Sequence, residues 1–169
     1  MGMAVVVRDA IDADVEAMTG IYNAFLDSTT IEWTDKPHRI DERILWQRGQ
    51  QAEGLPVLVA EVDGAVVGWT SYGDFRDSKR WPGYRFTAEH SIHIHRDYWG
   101  QGVGRALIDE LCARAAAAGI HVMVAGIDAE NIASVEFHER LGFVTTGRLC
   151  EIGWKHDRWL DLILMQKTL

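Results

Sequence analysis

The chain has only two cysteines in 169 residues, Cys112 and Cys150. That is too few for a disulfide scaffold, and both are expected to be reduced thiols in a cytosol. Cys112 falls in a helical pattern, where a small buried residue is the simpler reading. No apolar run approaches the length that crosses a bilayer. The opening MGMAVVVRDA has no basic leader before its short apolar run, which argues against a signal peptide. Gly2 follows Met1, but Val6 stands where a myristoylation pattern wants Ser or Thr. Basic residues are in deficit: 17 Lys and Arg against 25 Asp and Glu give a formal net charge of −8. A nucleic-acid surface needs a basic stripe, so neither nucleic acid nor a membrane is an expected partner. An anionic ligand must be held locally, by backbone dipoles or a few arginines. Repeats, low-complexity tracts and linkers are missing too, so residues 1–169 read as one domain.

What is present is an alternation of β-like and helical segments. AVVVRD reads as a strand. In DADVEAMTGIYNAFLDS, Val15, Met18, Ile21, Tyr22 and Phe25 recur at three- and four-residue steps, which predicts a helix capped by Asp12 or Asp14. DERILWQRGQQAEG predicts a second helix, with Ile44, Leu45 and Trp46 turned inward and Gly54 as its stop. Two β-rich runs flank Asp63-Gly64, a pair suited to a tight hairpin turn. DSKRWPGY is a polar loop, and FTAEHSIHIH is the next strand. GVGRALIDELCARAAAAG is a strong helix, IHVMVAGID a buried strand and NIASVEFHERLG a short helix. FVTTGRLCEIGW and RWLDLILMQKTL close the chain as strands. The central strand–helix–strand implies a parallel crossover, and the hairpins imply antiparallel neighbours. The expected fold is therefore mixed α/β, a central and mostly antiparallel sheet with helices on both faces.

Glycines at 100, 102 and 104 stand where the strong helix begins. A helix start presents unpaired N–H groups and partial positive charge, and glycines let a phosphate reach those amides. The competing reading is a flexible turn followed by close helix packing. A P-loop is rejected because Arg105 and Ala106 follow Gly104. The alternate spacing also fails the dinucleotide fingerprint.

YWGQGVGRALIDEL resembles the acyl-CoA signature of the GNAT N-acetyltransferase superfamily, and NIASVEFHERLGF resembles a downstream segment of that family. Trp99 departs from the family pattern, which has Gln or Arg there. STTIEWTDKP, SYGDFR, YRFTAEHSIHI and GWKHDRWLDLILMQ narrow the resemblance to the phosphinothricin and methionine sulfoximine acetyltransferases. The resemblance covers nearly the whole chain. It implies the GNAT fold, acetyl-CoA as co-substrate, a cytoplasmic enzyme and a homodimer. It also implies transfer to the α-amine of a small amino acid in a ternary complex.

Such chemistry needs a proton acceptor for the ammonium, donors for a developing oxyanion and a cation for the acceptor's carboxylate. Glu89 is the candidate base, because it starts the strand that feeds the glycine loop. An ion pair with an arginine such as Arg85 is the alternative. Alternation puts Glu89, Ser91, His93 and His95 on one face, and His90, Ile92 and Ile94 on the other. His138 stands where the resemblance implies an acid for the departing thiolate, or else it is a packed helix histidine. For the cofactor, the resemblance implies backbone contacts from Ile92, His93 and Ile94. It adds the segment Gly100, Gln101, Gly102, Val103, Gly104 and Arg105, together with Asn131 and Ser134. For the acceptor it implies Trp33, Arg76, Tyr84, Arg85, His90 and Ser91. Alternation splits His90 from His93 and His95, and no carboxylate completes a set, so no metal is expected. No cysteine lies in these segments, so an acyl-cysteine is not expected. Two other classes remain open: a GNAT acting on a protein N-terminus or lysine, and an acyl-CoA sensor without turnover.

Overall fold

A computed structural model describes residues 4–169, so the reading of Gly2 lies outside the described residues. Seven strands form one sheet: β1 (Val6–Asp9), β2 (Val57–Val62), β3 (Ala65–Asp74), β4 (Thr87–Ile94), β5 (Val122–Asp128), β6 (Val144–Lys155) and β7 (Arg158–Thr168). Their order across the sheet is β1-β2-β3-β4-β5-β7-β6. All neighbouring pairs are antiparallel except β4 with β5. Four helices complete the fold: α1 (Val15–Asn23), α2 (Ile40–Ala52), α3 (Val103–Ala117) and α4 (Ile132–Arg140). None is long and apolar enough to cross a membrane.

The two faces of the sheet carry separate cores. On one, Leu107, Ile108 and Leu111 of α3 are fully buried against Leu58, Ala88, Met123 and Met165. Each such side chain contributes roughly 1.5–3 kcal/mol through lost apolar contact with water. On the other, Met18, Ile21, Tyr22 and Phe25 of the α1 region pack on Val57, Val59 and Trp69. Strand alternation delivers both sets. The β2–β3 hairpin turns through Asp63 and Gly64, both at positive φ (49° and 81°).

Two local expectations change. The α1 helix stops at Asn23, and the chain continues as turns through Ser28. In α2, Leu45 is 69% exposed, whereas Arg43 and Gln47 are buried. The Arg43 guanidinium lies 3.5 Å from the centre of the Trp46 ring and 4.9 Å from that of Trp69. A cation–aromatic stack thus takes the inward stripe that the apolar pattern assigned to Leu45.

β4 and β5 pair only from Thr87–Val122 to Glu89–Val124, then part. β4 meanwhile keeps regular register with β3 to Ile94. β5 therefore splays away from β4, while β4 stays in register with β3. The wedge this splay opens holds the site.

Candidate active site

A groove of about 540 Å³ runs along the start of α3. Its walls include Ile92, His93 and Ile94 of β4, Gly100, Gly102, Gly104 and Arg105 of the glycine segment, and Asn131 and Ser134 of α4. Of the residues assigned to the cofactor, Gln101 and Val103 do not line it. Gln101 is exposed and donates to the Asp97 carbonyl, and the Val103 side chain is fully buried in the core.

The three glycines have different reasons. Gly100 and Gly102 adopt positive φ (72° and 88°), a backbone state costly for other residues. Gly104 has a packing reason: a Cβ there would lie 2.9 Å from Ile94 Cδ1 and from the Phe137 ring. Close packing thus holds at Gly104, while the other two shape the turn. The first backbone bond of α3 is Ala106 N–H to the Gly102 carbonyl. The amides of Val103, Gly104 and Arg105 precede it and have no intrahelical acceptor, which is the donor set a phosphate needs. Trp99 Nε1 donates to the Ile94 carbonyl at 2.8 Å, so this departure from the family pattern ties the turn to the end of β4.

A second cavity of about 100 Å³ lies in the wedge between β4 and β5. It shares Ile31, Ile92, His93, Asn131 and Ser134 with the groove, so the two meet at the middle of β4. Its other walls are Glu32, His90, Ser91, Ala125, Gly126, Ile127, Asp128 and His138. His90 and His138 are buried, with ring centres 5.2 Å apart. His138 Nδ1 donates to the Ser134 carbonyl at 2.7 Å. Among the described residues, no hydrogen-bond partner meets His138 Nε2, either nitrogen of His90, or Asp128 Oδ2. Burial first, then the neighbouring His138 and His93, pushes His90 down to about 3. Burial also lowers His138, partly countered by its bond to Ser134. Both rings are therefore neutral near pH 7.

Glu89 is half-buried, and burial raises its carboxyl above the usual range. Its Oε1 lies beneath Gly126, 3.1 Å from where a Cβ would stand. The ion-paired alternative is not seen, since Arg85 donates to the Pro82 carbonyl at 2.8 Å and lies over Phe86. Arg76 lies over Tyr84, 5.4 Å from the ring centre. Arg76, Tyr84 and Arg85 form an exposed cluster apart from the cavity walls. Trp33 packs against Gly153 of β6, where a Cβ would collide with its ring. His90 and Ser91 do line the cavity.

In the loop between α1 and α2 the sequence reading named Trp33 and missed Glu32. Glu32 accepts from His93 Nε2 at 2.7 Å and from Tyr22 Oη at 3.3 Å. Lys155, only 3% exposed, donates to the carbonyls of Leu26 (2.6 Å) and Glu32 (2.7 Å) and fixes that loop to β6. These partners lie 61, 123 and 129 residues apart, beyond any local pattern.

The model of the acetyltransferase (GNAT) family matches residues 18–143. The chain belongs to that family. An L-methionine sulfoximine/L-methionine sulfone acetyltransferase of Salmonella typhimurium is 42% identical, covering 96% of this chain and 94% of its own. An L-amino acid N-acyltransferase of Escherichia coli is 43% identical, covering 96% and 93%. Among solved structures, a GNAT phosphinothricin acetyltransferase from Sinorhizobium meliloti, in complex with acetyl-CoA, superposes with a TM-score of 0.92 at 34% identity, covering 99% and 89%. GNAT acetyltransferases use acetyl-CoA, and this GNAT chain's groove, free amides and flanking Arg105 and Arg140 suit its phosphates. Among the described residues, no group of three or more His, Cys, Asp or Glu side chains is placed to hold a metal ion.

Proposed function

We propose that this GNAT enzyme acetylates the α-amine of a small amino acid bearing a sulfone, sulfoximine or phosphinate group, by direct transfer from acetyl-CoA. The observation that carries the reading is the meeting of a long donor groove and a small second cavity at Ile92 and His93. The names of relatives along nearly the whole chain supply the acceptor class, the sulfoximine and sulfone from one 42% identical and the phosphinate from one 34% identical. Acetyl-CoA provides the activated thioester. The amides of Val103, Gly104 and Arg105 bind its phosphates, and Ile92, His93 and Ile94 give backbone groups beside the reacting end. Asn131 and Ser134 flank the cofactor's path.

Glu89 takes the ammonium proton, directly or through water, and its raised carboxyl range brings it closer to that task. His138 begins as an acceptor, because Nδ1 carries the proton given to Ser134 and Nε2 is bare. It becomes an acid for the departing thiolate only after it has received a proton. His90, Ser91 and Trp33 shape the acceptor side.

The protein works in the cytoplasm as a homodimer. Both thiols are free, which suits a reducing compartment. The twelve-residue edge strand β6 exposes Leu149, Ile152 and Trp154 beside Trp159, an apolar edge that a second copy would cover.

Thiol release from acetyl-CoA tests the acceptor class. Methionine sulfoximine, methionine sulfone, phosphinothricin, unmodified amino acids and a lysine peptide are offered in parallel. Release is expected with the first three at rates well above the peptide. Release with the peptide alone would overturn the small-acceptor reading.

A further inference from the structure

The two cavities differ in charge. Among the described residues, the Asp, Glu, Lys and Arg side chains lining the donor groove are Arg105 and Arg140, with His93 shared by both cavities. Those lining the second cavity are Glu32 and Asp128. One site is built for anions, and the other faces its ligand with carboxylates.

Glu32 is held with unusual firmness for a loop residue. Its carbonyl accepts from Lys155, one carboxylate oxygen accepts from His93 Nε2 at 2.7 Å, and the other accepts from Tyr22. The His93 ring is itself fixed, stacked on Trp69 with centres 4.6 Å apart. Nε2 donates the bond to Glu32, and among the described residues no hydrogen-bond partner meets Nδ1. Lys155 gives its protons to carbonyls and does not pair with the carboxylate. The Glu32 side chain is 27% exposed, so it is open to the cavity it lines. Asp128, 5% exposed, adds an oxygen without a partner in the same cavity.

We propose that Glu32 is a specificity-determining residue: it attracts the acceptor's ammonium and disfavours acceptors whose side chain is an anion. The inference rests on the acceptor class proposed above and narrows it to amino acids with neutral side chains. Every α-amino acid acceptor brings one ammonium and one carboxylate, so those groups cancel in a comparison. What differs is the side chain: a sulfone is neutral, and a phosphinate adds a negative charge. Like charges within a few ångströms in a partly dry cavity repel more strongly than in water.

The test compares kcat/KM for methionine sulfone and phosphinothricin in wild type, Glu32→Gln and Glu32→Asp, at low and high salt. Wild type is expected to favour the sulfone by about tenfold or more, a ratio set by one charge–charge contact. Glu32→Gln is expected to shrink that ratio at least about fivefold, chiefly through a lower KM for phosphinothricin. Glu32→Asp keeps the charge and is expected to keep the ratio within about twofold. Added salt lowers the phosphinothricin KM in wild type and not in Glu32→Gln. A ratio unchanged in Glu32→Gln, or a shift of equal size in Glu32→Asp, would overturn the proposal and leave the acceptor class standing. Wild type inactive on both acceptors would overturn the acceptor class and this selection with it.

Discussion

Glu89 is the residue on which the proposed chemistry turns. Its carboxyl is raised by burial, so the base forms at a higher pH than an exposed glutamate would allow. Replacing it with Gln keeps the shape beneath Gly126 and removes the proton acceptor. Glu89→Gln is expected to lower kcat by roughly 10²–10⁴-fold, the range typical of general base catalysis. The acetyl-CoA KM should hold, since Glu89 does not line the donor groove. Wild-type kcat/KM should rise with pH through an acidic limb, and the variant should lose that limb. A variant with wild-type kcat would remove Glu89 from the proton path and leave His138, whose bare Nε2 can accept, as the base. The position of Glu89 was legible in the sequence because strand alternation and the glycine loop bracket it. Glu32 was not, because nothing local marks a loop carboxylate whose partner lies 61 residues away.

Elements were legible where periodicity and turn chemistry agree. Asp63-Gly64 fixed one hairpin, and the stripe through Leu107, Ile108 and Leu111 fixed α3. The inward side of α2 was misread because an arginine stacked on tryptophans is invisible to a hydrophobic pattern. The start of α3 shows both outcomes. The glycine pattern identified a turn that bares amides, but it could not separate the two glycines that need positive φ from the one that needs space. That separation can be tested. Gly102 has open space around it and φ +88°, so Gly102→Ala pays through backbone strain alone. It should lose about 1–3 kcal/mol of stability, the cost of a non-glycine residue held in that conformation. The amides of Val103 and Gly104 follow directly, so acetyl-CoA KM should rise while the acceptor KM holds. Denaturant melts and steady-state kinetics check both. A stable variant with unchanged acetyl-CoA KM would show that the turn tolerates another backbone conformation.

Across the whole molecule, the polar wedge between β4 and β5 sets how the fold responds to acid. His90 and His138 are buried neutral beneath the α4 side of the sheet. Folding pushes His90 from 6.5 to about 3, and His138 moves the same way. Below about pH 6.5 the unfolded chain therefore binds protons that the folded chain refuses. The stability these groups contribute is complete above that pH and drains as pH falls toward the folded values. Each group costs about 1.4 kcal/mol per pH unit inside its window. Asp14 responds in the same sense at lower pH: burial raises its carboxyl, but the bonds from Arg8 and the Ile11 amide outweigh this and bring it below 3.8. Glu89 has the opposite sign, since its raised carboxyl makes the ionised form a cost as pH climbs above its usual 4.5. The histidines titrate first on acidification, so they should dominate between pH 6.5 and pH 5, before the carboxylates take part. Unfolding free energies at pH 7.5, 6.5 and 5 in wild type and His90→Gln isolate the larger of the two. The wild type is expected to lose stability across that interval, and the variant about 2 kcal/mol less of it, one group's share over 1.5 pH units. Equal losses in both would mean that His90 takes up its proton without unfolding the chain, and that the wedge can solvate a charge there.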